Sequence, residues 1–213
     1  MHSERIIDIS PVISPRTAVW PGDVSFSQRY LCRIDEGANL DLSSINTTVH
    51  LGAHADAPSH YVGGGQGIAV RPLSMYLGPC QVVSVDVPRG QRILPAHVTA
   101  DITAPRVLFH TGTFPDPDDF NEDFVALSPE LVGWLAERGV ILVGIDTPSI
   151  DPFSSKALES HQAVAARDMA VLEGVILGHV ADGHYTLIAL PLRIEGADAS
   201  PVRAVLLPST AAD

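Results

Sequence analysis

Between residues 50 and 60 the chain reads HLGAHADAPSH, placing His50, His54, Asp56 and His60 within one short segment. Imidazole nitrogen and carboxylate oxygen are the donors that borderline divalent metals take, and here they recur two to four residues apart. All four positions are even-numbered, so a straight strand would put them on one face. At ~3.3 Å per residue, however, His50 and His54 would then stand ~13 Å apart, too far to share an ion. A helix would close that gap, but Gly52 and Pro58 oppose a long one. The spacing therefore predicts a strand ending near His50, then a tight irregular turn that folds the side chains inward. Any one of these histidines alone reads as loop decoration. The four together read as a site.

The elements that must hold this segment divide into a strand-rich first half and a mixed second half. Residues 6–9, 25–34, 41–50 and 80–87 are β-branched or alternating, and each run is bounded by Pro, Gly or Asp. Residues 106–111 read as a further strand, and the acidic TFPDPDDFNED stretch after it reads as a solvated, mobile loop. Ser128 should cap a helix with Pro129 in its first position, Glu130 near its positive end and Leu131, Val132 and Leu135 as its apolar stripe. Gly139 stops it, and residues 140–146 form a buried strand. A second helix starts at Ser154 or Ser155, with Leu158, His161 and Ala165 on its inner face. Strands at 171–177, 184–194 and 204–207 close the chain. The expectation is one α/β domain spanning residues 1–213.

Composition excludes several classes. The 213 residues carry 13 Lys and Arg against 25 Asp and Glu, a net charge of −12, with no basic cluster for a nucleic acid or an anionic membrane. A 46% hydrophobic, 18% charged chain is not globally disordered. Cys32 and Cys80 form neither a Cys-x-x-Cys pair nor a disulfide framework; Cys80 reads as a small buried hydrophobe. No apolar run reaches the ~18 residues of a membrane span. MHSERIIDIS lacks a basic-then-apolar signal pattern, so the cytoplasm is the expected compartment. GGGQG at 63–67 lacks the lysine of a phosphate loop and more simply lets a loop pass close to the site.

HLGAHADAPSH resembles the His-x-Gly-Thr-His-x-Asp-x-Pro-x-His motif of the metal-dependent, cyclase-like amidohydrolases. With VWPGD, GIDTPSID and LPLRIEGADASPVRAVLLP, the resemblance covers nearly all the chain and points to the bacterial kynurenine formamidase (arylformamidase) branch. It implies a cyclase-like α/β fold of the swivelling β/β/α type, with a β-barrel-like core and flanking helices. It also implies two zinc ions per subunit: His50, His54 and Asp56 on the first, Asp56 bridging to a second that also takes His161 and Glu173. Nitrogen and oxygen donors admit manganese as well. From the residues alone, His161 reads as either a ligand or a hydrogen-bonded core histidine. Glu173 reads as either a buried charge needing a partner or an outward position on a half-exposed strand. One departure stands out: Ala53 occupies the place of the motif's Thr, so a supporting hydroxyl is missing and its hydrogen bond is absent or supplied by another group.

By the same resemblance the substrate is N-formyl-L-kynurenine, cleaved to L-kynurenine and formate in tryptophan degradation. Two divalent ions with Asp56 and Glu173 leave positive charge to activate a bridging hydroxide, and one ion polarises the formyl oxygen. His60 is the implied proton donor and acceptor, since an aromatic amine leaves poorly as an anion. Trp20 is implied to pack on the aryl ring, while Asp23 reads as a turn residue. A cyclic amide such as isatin is a competing substrate, and a non-catalytic binding module holding structural metal is a competing class. Family members form homodimers, sometimes larger assemblies, so Trp20 serves either its own or a neighbouring pocket. His2, His97, His110, His179 and His184 have no partner pattern and are assigned nothing.

Overall fold

Apolar residues run almost unbroken through 82–83, 107–109, 142–145 and 170–172, and such runs build a sheet buried on both faces. The computed structural model describes residues 6–209. Its strands are β1 (Ile7–Asp8), β2 (Ser27–Cys32), β3 (Leu42–Asn46), β4 (His54–Asp56), β5 (Leu77–Ser84), β6 (Arg92–Ile93) and β7 (Arg106–His110). They continue with β8 (Ala126–Leu127), β9 (Leu142–Ile145), β10 (Ala170–Glu173), β11 (Gly183–Ile188), β12 (Ala199–Pro201) and β13 (Val205–Pro208). Three short α-helices accompany them: α1 (Pro58–Tyr61), α2 (Pro129–Ala136) and α3 (Glu159–Ala165).

Nine strands join in the order β1-β13-β11-β5-β7-β9-β10-β4-β12, a strongly curled half-barrel in a mixed α/β single domain. Its central strands β5, β7, β9 and β10 run parallel, and the flanking pairs are antiparallel. Cys80, Val82, Leu108, Leu142 and Leu172 fill one face together with Ala55, Leu187 and Leu206. Val83, Val107, Phe109, Val143, Ile145 and Val171 face the other way, onto Leu131, Val132 and Leu135 of α2 and Val164 of α3. This period-two division fixes which side chains reach the helices. No helix among the described residues is long and apolar enough to cross a membrane.

The expected elements are mostly present, with informative differences. Ser128 Oγ accepts from the Leu131 amide at 3.0 Å, capping α2, and Gly139 ends the segment at φ +79°. α3 begins at Glu159 rather than at Ser154 or Ser155. Ser155 Oγ takes the Leu158 amide in a turn of its own, and Leu158 adopts φ +49°, which breaks any helix there. β10 stops at Glu173, short of residue 177, because Gly174 turns at φ +67°. β11 likewise ends at Ile188, before Pro191. β12 was not expected; it pairs with β4, Ala199 opposite Asp56.

Two segments differ in character from their composition. The 113–123 stretch is not a free loop. Phe120 and the following Phe124 pack on Trp20 and Phe114 packs on both of them, Asn121 donates to the Thr113 carbonyl, and Arg89 grips Asp123 through two hydrogen bonds. By contrast, β2 and β3 form a separate hairpin whose residues are nearly all exposed, Leu31, Leu42 and Ile45 among them.

Candidate metal centre

β3 ends at Asn46, so the expected strand does not reach His50; residues 47–53 turn irregularly and His54 opens β4. The fold inward is as expected: the His50 and His54 rings lie 5.1 Å apart, centroid to centroid. Within β4, Ala55 points into the half-barrel while His54 and Asp56 share the helix-facing side. Antiparallel pairing with β10 sets His54 directly opposite Glu173. α3 then lays His161 over the same spot.

Five donors converge here. Asp56 Oδ1 lies 3.0 Å from His50 Nδ1 and 3.5 Å from His54 Nε2, and Asp56 Oδ2 lies 3.3 Å from His161 Nε2. Glu173 reaches His54 Nε2 at 3.2 Å with one oxygen and His161 Nε2 at 3.4 Å with the other. His50, His54 and Asp56 form one three-donor group, and Asp56, His161 and Glu173 form a second. These separations match the ~3.4 Å between neighbouring donors around a tetrahedral ion with ~2.1 Å bonds.

Both oxygens of Asp56 and the Nε2 of His161 are buried without a hydrogen-bond partner. The donors therefore aim at a common point rather than at one another, and the residues fit a bound cation. Charge agrees. Burial would lower His50, but Asp56 and Asp198 outweigh it and push it up to about 9. Burial opposes ionisation of Asp56 and Glu173 too, yet the surrounding imidazoles hold both carboxyls below their usual range. Both carboxylates thus stay ionised and favour positive charge beside them.

Each imidazole is fixed from behind. His54 Nδ1 meets the Gly52 carbonyl at 2.8 Å, which anchors the ring although Ala53 lacks a hydroxyl and lies buried in the core. His161 Nδ1 meets Asp151 Oδ2 at 2.8 Å. Asp151 also accepts the Ser160 and His161 amides and pairs with Arg92, so it caps α3 while orienting the His161 ring. Burial would raise Asp151, but these hydrogen bonds hold it well below the carboxylate range. Asp198 Oδ2 stands 3.0 Å from His50 Nε2 and 3.1 Å from His60 Nδ1. Gly174 packs so tightly that a Cβ there would fall 2.2 Å from the Gly52 carbonyl oxygen.

A cavity of about 710 Å³ opens beside these donors and is lined also by His60, Trp20 and Phe153. Trp20 packs against Phe153 at 5.0 Å and Phe120 at 5.6 Å, within its own chain. Asp23 closes the expected turn with its amide on the Trp20 carbonyl. The 63–67 glycines do let a loop pass closely: a Cβ on Gly65 would fall 2.6 Å from the Pro58 backbone at the start of α1. Cys80 is wholly buried, and burial pushes its thiol up to about 12.

Reading the sequence missed Asp151, Asp198 and His110, which lines the cavity. Asp151 sits in GIDTPSID after β9, and His110 is the last residue of β7, both at the carboxyl ends of parallel strands, where α/β sheets place their sites. That position was the available signal. His97, His179 and His184 lie outside the cavity lining, and His2 falls outside the described residues.

Residues 7–152 match the sequence profile of the family described as Putative cyclase, and the chain belongs to that family. Within it, the kynurenine formamidases are near relatives. That of Bordetella petrii is 47% identical over 95% of this chain and 98% of its own, and that of Bordetella pertussis 46% over the same shares. The chain is a hydrolase of that group. Among solved structures, a potential metal-dependent hydrolase with cyclase activity superposes with a TM-score of 0.79 at 27% identity, covering 95% of this chain and 96% of that one. Isatin hydrolase A from Labrenzia aggregata shares the fold, with a TM-score of 0.81 at 22% identity over 97% and 94% of the two chains.

Proposed function

We propose that this hydrolase cleaves N-formyl-L-kynurenine to L-kynurenine and formate at a site for two divalent cations. The observation that carries the reading is the pair of three-donor groups sharing Asp56, set beside an aromatic-walled cavity; the formamidase relatives supply the substrate. His50, His54 and Asp56 would hold one ion, and Asp56, His161 and Glu173 the other, with zinc favoured by the three imidazoles. Bound cations of this kind acidify water and polarise an amide carbonyl.

The chain's own groups do the rest. Trp20, braced by Phe153, offers an apolar wall on which the aryl ring packs, and this turns the formamide toward the donor cluster. His60 carries the proton from the attacking water to the anilide nitrogen, so that the amine leaves neutral. Asp198 holds His60 by Nδ1, which leaves Nε2 as the nitrogen for that transfer. Glu173 also accepts the Ile150 amide, tying the cluster to the loop after β9.

The exposed hairpin supports a homodimer. An isolated two-stranded hairpin is marginal in water, and this one carries Leu31, Leu42 and Ile45 on its surface with no core beneath. A second copy supplies that cover, and light scattering should give twice the chain mass. The cytoplasm is the compartment assigned, in keeping with free thiols at Cys32 and Cys80.

The test is turnover of N-formyl-L-kynurenine by purified protein, followed by kynurenine absorbance, before and after chelation and zinc return. Activity that vanishes and returns with metal supports the proposal. A metal-loaded protein inert on this substrate but active on isatin sinks it.

A further inference from the structure

At the cavity wall away from the donor cluster, His110 presents one ring edge with its protonation pattern fixed from behind. Ser84 Oγ gives its single proton to Asp182 Oδ1 at 2.7 Å. Toward His110 Nδ1, 3.2 Å away, the hydroxyl can therefore only accept, and Nδ1 must carry the hydrogen. In that tautomer Nε2 is an acceptor. Among the described residues it has no hydrogen bond; its nearest charged neighbour is Asp146 Oδ2, 3.9 Å away. Gly112 and Gly178 flank it, and a Cβ on either would stand 3.9 Å from Nε2, so the two glycines keep that edge open.

Asp146 lines the same cavity and is 6% exposed. It accepts from the Thr111 and Gly112 amides on Oδ2, the oxygen nearest His110, and from the Thr111 hydroxyl on Oδ1, so its spare acceptor site lies on Oδ1. His110 Nε2 and Asp146 Oδ1 thus offer acceptor capacity that no described residue fills, one of them on a carboxylate. The matching ligand is a positively charged group made only of donors.

We propose that His110 and Asp146 form the receptor for a primary ammonium on the substrate. The inference rests on the proposed reaction: N-formylkynurenine carries its α-ammonium on the side chain that leads away from the formamide. His110 and Asp146 are thus specificity residues, and Ser84 with Asp182 positions the ring.

The experiment compares kcat/KM on N-formyl-L-kynurenine and on its deamino analogue, for the wild type, His110→Ala and Ser84→Ala. The expected result is that His110→Ala cuts the preference for the amine-bearing substrate by roughly tenfold to a hundredfold, the range for one charge-assisted hydrogen bond, chiefly through KM. Ser84→Ala, an exposed position that tests the same point if the first variant folds poorly, should cut it by less. An unchanged preference in both variants overturns the receptor, whatever happens to the absolute rates. A wild type inactive on both compounds overturns the formamidase reading and this inference with it.

Discussion

Asp198 and His60 meet at 3.1 Å, carboxylate oxygen to Nδ1, across a gap of well over a hundred residues in sequence. A carboxylate behind an imidazole fixes both the ring and its tautomer, as in other acid–base pairs. His60→Ala should lower kcat by roughly 10²–10⁴ while metal content, measured by elemental analysis, stays at the wild-type level. Asp198→Asn should lower kcat less. Loss of metal in His60→Ala would instead make His60 a ligand.

Asp151 holds His161 from outside the donor cluster, so its removal acts on the cation without touching it. Asp151→Asn should weaken metal affinity by roughly 10–100-fold, read by competition against a chromogenic chelator. Unaltered affinity would mean that α3 alone orients His161.

Trp20 packs on three phenylalanines of the aromatic wall, Phe120, Phe124 and Phe153. Trp20→Ala should raise KM for an aryl formamide by roughly threefold to tenfold, with kcat less affected. A fall in kcat at constant KM would place Trp20 in the chemistry rather than in binding.

Acid should loosen the loop that carries Phe114 and Phe120. Hydrogen bonds from Arg89 hold Asp123 down to about 2, below its value in the unfolded chain. A depressed carboxyl contributes stability above the unfolded pKa, near 4, and loses it as pH falls toward 2. The urea midpoint of Asp123→Asn should thus lie below the wild type at pH 7, by a small amount because the pair is exposed, and meet it near pH 2. A gap that persists at pH 2 would assign the effect to packing.

The contiguous part of the site was legible because its chemistry and its spacing lie in one stretch, from His50 to His60. His161 and Glu173 were each open to two readings, since a lone histidine or glutamate carries no spacing; the fold brings both beside His54 and Asp56, Glu173 through its register. Asp151 and Asp198 were illegible for the same reason: each acts on a histidine brought near only by the fold. The 113–123 segment is the solvated loop its Asp and Pro content predicts, but that content hid the packing of Phe120 on Trp20, far upstream, and of Phe114 on Phe120. β12 escaped because three residues ending in proline form no recognisable pattern, and only the edge of β4 makes them a strand.

The contact between Gly174 and Gly52 limits which sequences can encode this centre. A methyl group at position 174 would collide with the very carbonyl that anchors His54, at a backbone angle that already favours glycine. Neither neighbour can yield without moving a donor, since Glu173 adjoins one glycine and His54 follows closely on the other. In a library carrying all twenty amino acids at position 174, selection for metal-dependent turnover should return glycine alone, although the residue bears no side chain and binds nothing.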